Sequence, residues 1–213
     1  DYFLNVEDET FETNTEIINN KEYNLNFKNS EIKISKNTFL KDVELRIEEF
    51  EDSLKIINPY LPVFKNLKIG LFNKKPKKGD YLAVRDFKGN ESFASVKIDN
   101  KNYFTVKTKS LGTYFIKNDS ISPKIKLHNF KNKDWISNKN TIRIKISDED
   151  SGIKKYDVKI NSKWMLFEYE YKKNELFYNF DSYFENKREN LLEVIVEDMA
   201  GNKTIKKYTF FRN

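Results

Sequence analysis

Apolar and polar residues alternate with a period of two along most of the chain. Tyr23-Asn24-Leu25-Asn26-Phe27, Glu31-Ile32-Lys33-Ile34, Val43-Glu44-Leu45-Arg46-Ile47 and Thr141-Ile142-Arg143-Ile144-Lys145-Ile146 all follow it. Successive side chains of a strand face opposite sides, so this pattern predicts half-buried antiparallel strands with one face on a core and the other in water. The Glu-rich stretch 44–52 could be drawn as a helix, but the strict alternation of Val43, Leu45 and Ile47 favours a strand. The expected fold class is all-β.

Short polar residues followed by a proline at Asn118-Asp119-Ser120-Ile121-Ser122-Pro123 mark a boundary, because proline forces an extended connection and cannot donate to a central ladder. The expected organisation is a leader, or a strand lent by a preceding domain, over 1–20; a first β-sandwich domain over 21–118; a linker over 119–123; and an immunoglobulin-like β-sandwich over 124–213. The last segment offers about seven strands, at 124–128, 141–147, 153–160, 163–171, 175–180, 191–197 and 204–211, which is the number and spacing of that sandwich. Turn chemistry separates them at 148–152, Asn161-Ser162, 172–174 and 198–202, where Asn and Gly tolerate positive φ and Asp caps its own backbone. The first domain is less regular, with strands expected near 23–27, 31–34, 43–47, 54–57, 67–72, 80–85, 92–98, 103–107 and 113–117; a second sandwich is the simplest packing.

Composition narrows the chemistry. The 213 residues contain no Cys and one His, which excludes disulfides, thiolate metal sites, a Cys nucleophile and a His-rich zinc centre. No G-x-x-x-x-G-K-[ST], G-x-G-x-x-G or G-x-S-x-G run occurs, so phosphate cradles and nucleophile elbows are unsupported. The net charge of +6 comes from interspersed signs and does not indicate nucleic acid. No apolar run approaches the roughly 20 residues of a membrane span. Asp and Glu are plentiful, yet no motif singles out a catalytic pair, and the chain itself is expected not to be an enzyme. Opening on Asp1-Tyr2-Phe3-Leu4 reads as mid-domain sequence, so a piece of a longer polypeptide is expected.

Four places deserve chemical scrutiny. Asp148, Asp150 and Asp198 lie in two loops that an immunoglobulin-like sandwich brings to one end. Calcium takes ~6 to 8 hard oxygens, so they form a candidate calcium site; Asp before Ser-Gly or Ala-Gly is equally what a tight turn uses. The stretch Trp164 to Tyr171, followed by Leu176 to Phe180, reads as an aromatic hairpin in which Phe167, Tyr169 and Tyr171 share one face and Trp164, Leu166, Glu168 and Glu170 the other. Trp164, Phe167, Tyr169 and Tyr171 are candidates for stacking on sugars or holding a cationic peptide, against ordinary cross-strand packing. Lys74-Lys75-Pro76-Lys77-Lys78-Gly79 could attract anionic wall polymer, but reads first as a solvated hairpin loop, and no recognition helix beside it could read nucleic acid. His128, alone beside a turn, reads as structural.

Taken in order, Ser35-Lys36-Asn37-Thr38-Phe39, Pro62-Val63-Phe64-Lys65-Asn66, Lys109-Ser110-Leu111-Gly112-Thr113-Tyr114, Ile121-Ser122-Pro123-Lys124-Ile125, Asp150-Ser151-Gly152-Ile153, Asn161-Ser162-Lys163-Trp164 and Asp198-Met199-Ala200-Gly201-Asn202 resemble the C-terminal region of lysostaphin-like zinc metallopeptidases of the Bacteroidetes cell envelope. The family's zinc motifs, H-x-x-x-D and H-x-H, are absent: His128 is followed by Asn129-Phe130-Lys131-Asn132, and no second His exists. The resemblance therefore implies a non-catalytic accessory region that positions, docks or wall-targets a peptidoglycan endopeptidase. Zinc would belong to a catalytic domain outside this chain. The partners implied are that domain or another envelope protein, and peptidoglycan, in the periplasm, at the outer membrane or outside the cell. The alternative is a stand-alone adhesive or scaffold immunoglobulin-like protein that binds glycan or protein.

Overall fold

The computed structural model describes residues 11–185 and 187–213, and divides between Asn118 and Asp119 into two compact units. In the first, β1 (Phe11–Ile17), β4 (Val43–Glu49), β5 (Ser53–Ile57), β10 (Gly112–Asn118), β7 (Asp80–Arg85) and β8 (Glu91–Ser95) form a six-stranded sheet in the order β1-β4-β5-β10-β7-β8. A four-stranded sheet, β2-β3-β6-β9, is built from β2 (Tyr23–Asn26), β3 (Ser30–Ile34), β6 (Leu67–Phe72) and β9 (Tyr103–Thr108). The inward positions of the alternating strands meet in one core: Leu45, Ile47, Leu54 and Ile56 from the first sheet, Ile32, Ile34, Leu67, Ile69, Leu71 and Phe104 from the second. Each such side chain withdrawn from water contributes about 1.5–3 kcal/mol before the entropy cost of folding.

Three features close this unit. The Tyr114 ring is fully buried and its hydroxyl donates to the Ser110 carbonyl at 2.6 Å, so burial pushes the phenol up to about 12. Gly112 has φ +150°, and a Cβ there would lie 2.4 Å from the Arg85 carbonyl oxygen, so only glycine lets β10 approach β7. Glu49, 4% exposed at the end of β4, accepts from Asn29 N (2.8 Å), Ser30 Oγ (2.6 Å) and Lys28 N (3.0 Å), tying the β2–β3 turn of one sheet to a strand of the other.

In the second unit, β11 (Lys124–Leu127), β13 (Thr141–Ser147), β17 (Glu175–Asn179) and β16 (Glu168–Glu170) form one sheet in the order β11-β13-β17-β16. The other sheet runs β12-β19-β18-β14-β15, from β12 (Asp134–Trp135), β19 (Lys203–Phe211), β18 (Glu189–Asp198), β14 (Ile153–Ile160) and β15 (Lys163–Trp164). All pairings are antiparallel except β12 with β19. Read as A-B-E-D facing G-F-C, this is the immunoglobulin-like arrangement. Ile142, Ile144, Ile146 and Leu176 pack against Val158, Leu192, Val194, Val196 and Phe210 between the sheets.

Several expectations change. The part of 1–20 that is described is no leader: β1 pairs with β4 along its whole length and puts Ile17 in the core, while 1–10 lie outside the described residues. Segment 119–123 is bonded into the second unit, Asn202 Nδ2 donating to the Asp119 carbonyl (2.9 Å) and Thr204 Oγ1 to the Pro123 carbonyl (2.6 Å). The single strand expected over 163–171 is two short ones on opposite sheets, followed by a 3-10 turn at Tyr171–Lys173. Among the described residues no helix is long and apolar enough to cross a membrane.

Candidate functional site

Asn161 (φ 52°) and Ser162 (φ 67°) make the two-residue turn that pairs β14 with β15, since two consecutive positive φ values match the twist of a hairpin. After Trp164 the chain leaves that sheet. Met165 and Phe167 point into the core, Phe167 N donates to the Met165 carbonyl (3.0 Å), and Tyr156 OH donates to the Phe167 carbonyl (2.9 Å), so the crossing segment 165–167 has its own partners. The four aromatic candidates are therefore separated. Phe167 is a core residue, its ring stacked on Tyr178 at 5.3 Å, and is removed from any surface site. Tyr169 is half-buried against Tyr156 and its hydroxyl reaches Asn174 Oδ1 (3.2 Å). Tyr171 is exposed in the 3-10 turn, on the far side of the crossover from Trp164.

Trp164 keeps Leu166, its neighbour by alternation, and gains Tyr183, which alternation did not announce. Trp164, Leu166 and Tyr183, respectively 58%, 64% and 72% exposed, rim a recess of about 330 Å³ whose lining includes Lys163, Tyr178 and Asp181. Asp181 Oδ1 holds the site together by accepting from Tyr178 OH (2.7 Å) and Tyr183 N (2.9 Å). That hydroxyl holds the Asp181 carboxyl below the usual range, while burial and the same carboxylate push the Tyr178 phenol up. Lys163 Nζ donates to the Tyr183 carbonyl (3.1 Å). The recess thus offers flat apolar faces beside one carboxylate and one ammonium.

The carboxylate cluster is also rearranged. Asp148, in the β13–β14 loop, and Asp198, the last residue of β18, come together, but the third member is Asp119, not Asp150. Asp150 is exposed, and its backbone N donates to Asp148 Oδ1 (3.2 Å). Each acid also serves a turn: Asp148 Oδ1 accepts from Gly152 N (2.8 Å), Asp198 Oδ1 from Asn202 N (2.8 Å), and the Asp119 oxygens from Ile121 N (3.0 Å) and Ser151 N (3.1 Å). Burial, and then the charges of Asp119 and Asp198, raise the Asp148 carboxyl. Topology could have named Asp119: Lys124 faces Ser147 and Ile153 faces Asp198 across their ladders, so residues just before β11 must lie at the same end as both loops.

The remaining candidates make local contacts. His128 Nδ1 bonds Glu175 Oε1, which also has Lys145 Nζ at 3.7 Å, and Arg143 Nη1 donates to Glu175 Oε2 at 2.7 Å. Burial raises the Glu175 carboxyl, but Arg143 and His128 outweigh it and the net displacement is downward. The Lys74–Lys78 loop is not a hairpin: it joins β6 to β7 in different sheets, and is closed by Asp80 Oδ2 accepting from Lys77 N (2.8 Å) and Asn73 Nδ2 (3.1 Å).

Strand order and core place the second unit among immunoglobulin-like β-sandwiches, preceded by another β-sandwich. No family model and no curated protein matches this chain. Among solved structures it is similar to the fibronectin(III)-like modules of Clostridium thermocellum CbhA, at 15% identity and a TM-score of 0.34, over 70% of this chain and 86% of that one.

Proposed function

We propose that this chain is a non-catalytic accessory region of a cell-envelope zinc metalloendopeptidase, and that its second unit docks the enzyme on peptidoglycan through the Trp164–Leu166–Tyr183 rim. The observation that carries the docking role is the exposure of three large apolar side chains around one recess with Asp181 and Lys163 beside them. An aromatic face covers the apolar face of a sugar, and a neighbouring carboxylate and ammonium match the charged groups of a wall peptide. The peptidase parentage is supported by the ordered series of residues from Ser35 to Asn202. The single imidazole supports a non-catalytic reading, because it is engaged with Glu175 and Arg143 shares that carboxylate.

Cosedimentation with purified, insoluble peptidoglycan tests the docking role. The 213-residue chain is expected in the pellet, and Trp164→Ala combined with Tyr183→Ala is expected to weaken binding about tenfold or more with the circular dichroism spectrum unchanged. A chain that stays in the supernatant, or a double variant that sediments like the wild type, overturns it. The parentage is tested separately: the coding sequence ahead of Asp1 is expected to carry H-x-x-x-D followed by H-x-H, and its absence would leave the stand-alone adhesive.

A further inference from the structure

Three loops at one end of the second unit gather carboxylates that the fold does not neutralise. Asp119, Asp148 and Asp198 each bring an oxygen within 4.8 Å of the other two, and Asp119 and Asp198 are fully buried. The lysines of the adjoining strands are engaged elsewhere: Lys124 with Glu149, and Lys154, Lys155 and Lys203 with Glu197. Turn formation explains one oxygen of Asp198, since Oδ1 accepts from Asn202 N. It does not explain the other. Asp198 Oδ2 is buried and has no hydrogen-bond partner. A buried anionic oxygen with neither donor nor countercharge is among the most costly groups a protein can hold, and two further carboxylates beside it add to that cost.

We propose that Asp119, Asp148 and Asp198 bind a divalent cation of the calcium class. The donors are hard oxygens without nitrogen or sulfur, which favours calcium or magnesium over zinc. Two oxygens on opposite sides of a calcium ion with bonds of about 2.4 Å lie about 4.8 Å apart, so the cluster has room for that ion. Waters complete the ~6 to 8 ligands calcium takes. The cation would join the segment before β11, the β13–β14 loop and the end of β18, three pieces distant in sequence. It acts on the second unit alone and stands or falls independently of wall docking.

Both tryptophans, Trp135 and Trp164, belong to the second unit, so their fluorescence follows its melting. Chelator-stripped 213-residue protein is titrated with CaCl2 alone by calorimetry and melted with CaCl2 or EDTA. One ion per chain and a rise in Tm of at least about 4 °C at saturation are expected, with a smaller rise in MgCl2. Asp198→Asn should abolish both signals yet melt in EDTA no lower than the stripped wild type, because it removes charge that the empty site leaves uncompensated. Asp148→Asn, at a half-exposed position, should abolish the calcium response if Asp198→Asn does not fold. No heat and no shift with calcium, or a full response in a folded Asp148→Asn or Asp198→Asn variant, would overturn the site.

Discussion

Glu49 and Asp198 are both buried acids at the C-terminal end of a core strand, and the two units treat them in opposite ways. Glu49 has three donors on its two oxygens, all from the β2–β3 turn, so its desolvation is offset locally and the charge becomes a clasp between the sheets. Asp198 has one donor on one oxygen, and two more acids bring an oxygen within 4.8 Å of it. The same burial therefore yields a self-sufficient joint in one unit and a demand for an outside cation in the other. What separates them is the supply of N–H and O–H groups within reach, not depth.

That contrast can be broken most sharply at Glu49. Glu49→Ala strands three donors in a partly dry turn, and is expected to cost about 3 kcal/mol, read as a lower midpoint in urea by far-UV circular dichroism. Glu49→Ala with an unchanged midpoint would mean the clasp is decorative. Gly112→Ala asks whether the first unit relies equally on backbone fit: the added Cβ meets the Arg85 carbonyl, and a loss of about 2 kcal/mol is expected by the same measurement. Tyr114→Phe keeps the ring and deletes the hydroxyl, with its bond to the Ser110 carbonyl and its contact with Thr108, for about 1 kcal/mol.

Glu175 is the intermediate case, an acid inside the second unit that does have cations. Its carboxyl titrates below the ordinary value when folded, so the unfolded chain binds the proton more tightly. Its contribution is therefore complete above the unfolded pKa of about 4.3 and lost as pH falls through the lower folded value. Glu175→Gln should be less stable than wild type by about 1 kcal/mol at neutral pH, and the gap should close on acidification, as followed by tryptophan fluorescence in urea. A gap independent of pH would remove the charge from the explanation.

The alternating runs made most of these strands legible in advance, and for a simple reason. Ile142, Ile144 and Ile146 must face one side of an extended chain whichever sheet receives it, and all three are buried. Asn161-Ser162 likewise closes its hairpin from local φ preferences alone. Through the apolar run 164–167, however, burial keeps alternating while the chain changes sheets, because in-and-out order is the same on either face of a sandwich. The aromatic group drawn from one long strand consequently fell apart, and Tyr183 joined Trp164 from a distant loop. β12 was too short to carry a pattern, and the polar β1 draws its stability from pairing with β4 rather than from its own hydrophobicity.

The sequence by itself determined that this is an all-β chain of sandwich-forming strands with no thiol and a single imidazole, since periodicity and residue inventory are local properties that no packing can alter. Only the tertiary structure decided which acids meet. Asp150 sits two residues from Asp148 yet stays outside the cluster, whereas Asp119 arrives from outside the loop altogether, because strand pairing rather than chain proximity brings charges together.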